Sequence, residues 1–364
     1  MEAYITHQEP ETTMQLKPVS ASQSFAAPNT QVIPLSYVEV PSRINNQSTT
    51  SAPPVLREHK KPFIEANTTE VALEHLRHDC IIPVFSKDNE KTIAHHEFIE
   101  CVCEAAFRAF PGAQFEAPEV RVSHQIKGRT PDAIHKPVKE LLDHEKTIYY
   151  ERMAFIMKST TIVENIGGNE LQLTIGGVRA YNQENLYSRK TAEKFKFFIG
   201  FQNQVCLNLC ISTDGYSENL KVMHVRDLQD KAHEVMQGYQ AEQHLKQMQQ
   251  LTSYALSDSQ FATLIGRARL YQHLPKQLKA ELPTLDFNDG QFSTIAKDYY
   301  QDESFCRNET GDIDIWKVYN LFTQANKSSY IDTFLERNVN AFEFNQGIVK
   351  ALSGSNLDYA WFLS

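Results

Sequence analysis

Cations and aromatic rings crowd together between residues 189 and 198. Arg189, Lys190, Lys194 and Lys196 stand beside Phe195, Phe197 and Phe198. Positive side chains neutralise phosphates and flat rings stack on bases, so this mixture suits a single strand of nucleic acid. Arg179 belongs to the same basic group, which Arg121, Lys127, Arg129, Lys136 and Lys139 precede in the chain and Arg267 and Arg269 follow. Tyr149 and Arg152 add a polar ring and a cation at the entry of a strand. A second candidate surface lies in 313–344, which contains no glycine or proline. There Trp316, Asn320, Thr323 and Lys327 recur at steps of four and three, so a helix would stack them along one face. Together these residues suggest a groove: Arg189, Lys190, Lys194 and Lys196 on phosphates, Tyr149 or Phe198 stacking on bases, Arg152 beside them, and Trp316 with Lys327 joining if their stripe faces the same way. A solvated charged face and an aromatic core edge would use the same residue types.

Two other chemistries are open. Asp286, Asp289, Asp298 and Asp302, with Glu303, Asp312 and Asp314 nearby, are enough carboxylates for a magnesium-dependent nuclease, provided that they converge. They equally suit a solvated acidic connector. His75, His78, Cys80, Cys101 and Cys103 carry atoms that zinc accepts, but at spacings unlike a finger or ribbon, and they read as ordinary thiols and surface imidazoles. With no nucleophile elbow, phosphate loop or HExxH pair, no catalytic residue is assigned and no cofactor or metal is expected.

The elements that must position these groups follow from periodicity and punctuation. Residues 1–60 are polar and proline-bearing and are expected to form a disordered arm, interrupted by VIPLSYVEV at Val32 to Val40, a segment that could dock on a partner. An α+β unit with an antiparallel sheet is expected over 61–225. Its helical parts are Thr69 to Leu76 and Phe98 to Ala109, and a short helix runs from Pro137 to His144. Its strands are Pro118 to Ile126, Tyr149 to Ile162, Leu171 to Tyr181 and Phe195 to Ser212, the last folded into a hairpin near Gly200 to Asn203. Phe195, Phe197, Ile199 and Phe201 share one parity and mark a core face; the other face is expected to be polar or half-wet. Residues 226–364 read as a mainly helical unit packed on the sheet: Arg226 to Tyr254, a helix capped by Ser257 and Gln260, Phe292 to Tyr300, one helix ending near Lys327 and another starting at Tyr330 behind a Ser329/Asp332 cap.

The chain has 364 residues and a net charge of −9, which excludes a wholesale basic coat but leaves room for a local basic groove. Its six cysteines are scattered as in a reducing compartment, and no apolar run is long enough for a membrane span, so a cytoplasmic protein is expected.

The strings RVSHQIKGRTPDA (121–133), TIYYERMAF (147–155), LTIGGVRAY (173–181), FFIGFQNQVCLNLC (197–210) and WKVYNLFTQANKSSYIDTFLERNVNAF (316–342) resemble an uncharacterised domain-of-unknown-function family of bacterial mobile elements. More remotely, FQNQVCLNL paired with YNLFTQANK resembles the phage/plasmid-like protein family. The resemblance implies carriage on mobile DNA and a role in handling DNA or in host defence, with no catalytic residues to transfer. The expected function is a non-enzymatic accessory protein binding single-stranded DNA. The rivals are the nuclease and a factor acting on a host or element-encoded protein.

Overall fold

β3 (Lys146–Ile166) and β4 (Asn169–Ala180) form the longest hairpin of the fold, joined by Gly167-Gly168 with φ of 57° and 81°. Two consecutive left-handed residues make the tight turn whose twist suits antiparallel strands, and glycine adopts it without a steric penalty. The computed structural model describes residues 62–82, 91–133, 135–184 and 191–364. The expected disordered arm and the Val32 to Val40 segment lie outside these residues.

Around that hairpin runs an antiparallel sheet. Its order is β1 (Thr69–Val71), β2 (Glu119–Arg129), β3, β4, β5 (Glu193–Asn203) and β6 (Leu209–Cys210), with β7 (Tyr216–Val222) also pairing with β5. Helices occupy both faces. Short α1 (Leu73–His78) leads to α2 (His95–Ala109), whose Phe98, Ile99, Val102, Ala105 and Ala106 are buried at helical spacing. The Glu97 carboxylate accepts the Ala94 N–H at 2.7 Å and so satisfies one free donor at the start of α2. Phe98 lies 5.3 Å from Phe155 and 4.7 Å from Phe195, ring centre to ring centre, which sets α2 on the odd-numbered face of the strands.

The remaining helices are α3 (Val225–Gly238), α4 (Ala241–Leu251), α5 (Asp258–Gln272), α6 (Lys276–Ala280), α7 (Asp289–Gln301), α8 (Ile315–Asn326) and α9 (Ile331–Leu352), with a small pair β8 (Ala255–Leu256) and β9 (Ile313–Asp314). α9 covers the even-numbered face, where Ala154, Ile156, Val178 and Phe198 cluster with Phe334, Leu335 and Val339. Residues Glu58–Ser364 form one compact α+β unit. Among the described residues no helix is long and apolar enough to cross a membrane.

Several local expectations change. The face expected to be polar is buried from Phe198 onward because α9 lies over it. Arg226 to Tyr254 is two helices, broken after Gly238. Pro137 to His144 forms only two 3-10 turns, and Tyr216–Val222 is an additional strand. The hairpin turn falls after Asn203: Gly200 stays in mid-strand, where its Cα faces the Cys210 carbonyl too closely for a side chain. Ser257 and Gln260 do form the capping box of α5. Ser329 does not cap α9; Tyr330 holds that position and the Ser329 hydroxyl turns inward to Asn326 at 2.6 Å.

Candidate nucleic-acid interface

Alternation along β5 decides which cations reach the surface. Lys194 and Lys196 have the same parity as Phe198, but they lie before α9 closes over the strand. They line one pocket of about 210 Å³ with Val178, Ala180, Gln183, Glu218 and Asn219. Lys194 is exposed. Lys196 is held by the first turns of α9, donating to the Asp332 carbonyl at 2.5 Å and pairing with the Glu336 carboxylate. Arg152, opposite Ala180 in the β3–β4 register, joins the same ledge: its Nη1 is 3.5 Å from Asp332 Oδ1, and its Nε is 3.8 Å from Glu151. Three expected cations therefore share one corner of the sheet, together with acidic groups from β3, β7 and α9. Apart from Glu151, which adjoins Arg152 in the chain, the nearby acids come from segments far apart in sequence, so no spacing could have revealed them.

The other expected contacts go elsewhere. Phe198 is 1% exposed and packs in the core beneath α9, so its ring has no face for a base. Tyr149 is half-buried, with its ring edge-on to Tyr181 at 6.3 Å. Arg189 and Lys190 lie outside the described residues.

Trp316 and Lys327, 2% and 1% exposed, are buried where α8 meets two turns of the sheet, Trp316 at the β3–β4 turn and Lys327 at the β5–β6 turn. Trp316 donates from Nε1 to Asn169 Oδ1 at 2.7 Å, and Lys327 donates to the Cys206 carbonyl. Between them Asn320 accepts from Asn203 Nδ2 at 3.1 Å and donates to the Trp316 carbonyl at 2.9 Å, while Asn208 donates to the Asn320 carbonyl at 2.9 Å. Leu207 sits at φ 58°, and its carbonyl accepts from Gln202. Val205 at the tip of this turn is exposed, but its inner side at Asn203, Leu207 and Asn208 is shut off from water, so side-chain amides and an ammonium satisfy it instead. The polar stripe of α8 is thus a structural seam, and the two strings FQNQVCLNL and YNLFTQANK meet along it. Burial pushes the Cys206 thiol up to about 11, away from the reactive thiolate.

The acidic candidates do not converge. Asp289 at the start of α7 pairs with Arg269 at 2.6 Å, and Asp298 lies towards the other end of that helix. Asp302 accepts the Ser304 and Phe305 N–H groups at 2.9 and 2.7 Å, while Asp286 sits by α9, its carbonyl accepting from Arg337 at 2.7 Å. His75 bonds to Asp79 and Tyr150, Cys101 points at the Val225 carbonyl, and Cys103 lies 3.7 Å from Met157 Sδ. Burial raises the Cys101 thiol to about 12, with Glu104 adding to the effect. Among the described residues no three His, Cys, Asp or Glu side chains gather to hold a metal ion.

A deeper polar cluster lies on the opposite face of β4 and β5, and it takes Arg179 out of the expected basic groove by burying it. Arg179, with no exposed side-chain area, places Nη2 2.5 Å from Glu193 Oε2 and 3.0 Å from Glu184 Oε1, while its Nη1 donates to the Lys194 carbonyl at 3.0 Å. Its guanidinium lies 4.0 Å over the Phe195 ring. His95 stacks on Tyr181 at 4.6 Å and is held neutral by burial, its pKa lowered to about 3. Burial pushes Glu184 up to about 7, against the pull of Arg179, with Glu193 adding to the rise.

A family model described as "Domain of unknown function, B. Theta Gene description (DUF3871)" matches residues 45–363, and the chain belongs to that family. No curated protein and no solved structure matches it.

Proposed function

We propose that this DUF3871 protein is a non-enzymatic, cytoplasmic accessory factor of a bacterial mobile element that binds single-stranded DNA at the corner formed by Lys194, Lys196 and Arg152. The observation that carries the reading is the pocket shared by exposed Lys194 and Glu336-paired Lys196, where two amides, Gln183 and Asn219, stand beside them and Glu218 is the one acid on the lining. Ammonium and amide donors at one opening suit a phosphodiester backbone. The chain between Gln183 and Lys194 also carries Arg189 and Lys190. Without Phe198 and Trp316 the site has little stacking capacity, so the reading is of a backbone binder with weak sequence preference.

The test is fluorescence anisotropy with labelled single- and double-stranded oligonucleotides at two salt concentrations, followed by a gel for strand integrity with and without magnesium. Binding should weaken as salt rises, and the strand should stay intact. Lys194→Glu should abolish most of the affinity, whereas Lys196→Met tests the second cation without setting a new carboxylate beside Glu336. Unchanged affinity in both variants rules the site out, and magnesium-dependent cutting would restore the nuclease reading. One observation favours the protein-binding alternative: a cleft of about 570 Å³ along the exposed side of α9, lined by Glu281, Glu343, Gln346, Lys350 and Asp358. Its acidic balance disfavours a polyanion and fits a basic protein segment.

A further inference from the structure

We infer that the buried Glu184–Arg179–Glu193 cluster is a proton-operated brace for the edge of β5 that carries Lys194. One guanidinium nitrogen, Arg179 Nη2, faces oxygens of both carboxylates, at 3.0 Å and 2.5 Å, and the side chains of Glu184 and Glu193 are 8% and 6% exposed. Two carboxylates drawn to one nitrogen repel each other in a poorly solvated site, and a proton on one of them relieves the conflict. Glu193 is the one fixed more tightly, since it also accepts the Ile93 N–H at 3.1 Å. The proton therefore belongs on Glu184, whose raised pKa agrees.

The other groups facing this cluster are tied by hydrogen bonds of their own. Tyr181, on the turn after β4, donates to the Ile93 carbonyl at 3.2 Å, and burial keeps its hydroxyl protonated. From α2 come His95, neutral and bonded through Nε2 to the Tyr150 carbonyl at 2.8 Å, and Glu97, whose carboxylate is tied to the Ala94 N–H. From β5, Lys194 contributes its carbonyl, which accepts from Arg179 at 3.0 Å, and its N–H and ammonium charge, which both pull Glu184 towards the ionised form against the burial that raises it. Protonated Glu184 leaves Arg179 to Glu193 and to that carbonyl, which holds Lys194 in place on the other face of the sheet. Ionised Glu184 competes for the same guanidinium and loosens the hold. The consequence for binding rests on the Lys194 pocket proposed above; the brace itself does not.

The experiment compares wild type with Glu184→Gln, which mimics the protonated form, from pH 5 to 8.5. Two readouts are taken on the full chain: the melting temperature without ligand, and the anisotropy of a fluorescein-labelled oligothymidylate. The Tm advantage of E184Q over wild type should grow as pH rises from about 4.5 to about 7 and level off above that. Wild-type affinity should fall about fivefold as pH rises through about 7, a fall that E184Q lacks. Parallel Tm profiles would overturn the brace. A Tm step removed by E184Q, with no oligonucleotide bound at any pH, would keep the brace and refute the nucleic-acid reading. If E184Q does not fold, hydrogen exchange at the Lys194 amide of wild type decides. Protection that declines through pH 7, beyond the intrinsic pH effect, supports the brace, and pH-independent protection refutes it.

Discussion

Asn320 ties the buried β5–β6 turn to α8 through both ends of its amide. Its oxygen accepts from Asn203 and lies 3.6 Å from Cys206 Sγ, while its nitrogen donates to the Trp316 carbonyl. Replacing it with alanine leaves the Asn203 amide without that acceptor in a place water does not reach. A donor stranded in this way costs about 1–3 kcal/mol, and the lost packing adds to it. Asn320→Ala should therefore lower the unfolding free energy by roughly 3 kcal/mol in urea titrations, without changing the salt dependence of oligonucleotide binding. Lys327 belongs to the same seam, so Lys327→Met should likewise alter stability and leave that salt dependence intact. A binding defect in either variant at full stability would return the α8 stripe to the ligand site. As residue types, Asn, Thr, Trp and Lys on one helical face suit a ligand and a buried turn equally well, and only their partner, a turn over a hundred residues earlier, decides between the two.

At the scale of elements, Gly176 and Gly177 allow β4 to be covered on both sides. A side chain at Gly177 would run into the Phe98 ring of α2 and come within 2.7 Å of the Lys196 carbonyl; one at Gly176 would strike the β3 backbone at Phe155. The string LTIGGVRAY was readable as a strand, but the reason for its glycines is the close approach of α2 and β3. Gly177→Val should destabilise by about 1–3 kcal/mol through overpacking and should shift near-ultraviolet circular dichroism as Phe98 is displaced. The capping box of α5 makes a contrasting case, because it is local. Ser257 Oγ accepts the Gln260 N–H, and Gln260 Oε1 accepts the Ser257 N–H at 2.9 Å, as the spacing indicated. Ser257→Ala should cost about 1 kcal/mol, and a thermal shift within error would show the cap to be redundant.

Across the whole molecule, two buried imidazoles and one buried carboxyl set opposing limits on stability against pH. His95 and His244 are both lowered by burial to about 3, so each contributes stability above its ordinary value of 6.5 that is lost as pH falls below it. Glu184 is raised from 4.5 to about 7, so its contribution is complete below 4.5 and is lost as pH rises through 7, a difference of roughly 3 kcal/mol. The protein should be most stable slightly below neutral pH. His244→Phe, in a pocket of Phe201, Tyr239 and Phe342, should flatten the acid limb of a Tm–pH curve and leave the alkaline limb unchanged. An unaltered acid limb would show that His244 is not buried as a neutral ring. What the sequence determined by itself is whatever depends on neighbours in the chain: the α+β class, the β2–β5 strands, the α5 cap, and the break between α8 and α9. What only the tertiary structure decided is which polar residues face solvent. The even face of β5 lies under α9, the α8 stripe under the β5–β6 turn, and Arg179 between two carboxylates and Phe195, because burial and pairing are set by elements brought together from far apart in the chain, where no periodicity carries a signal.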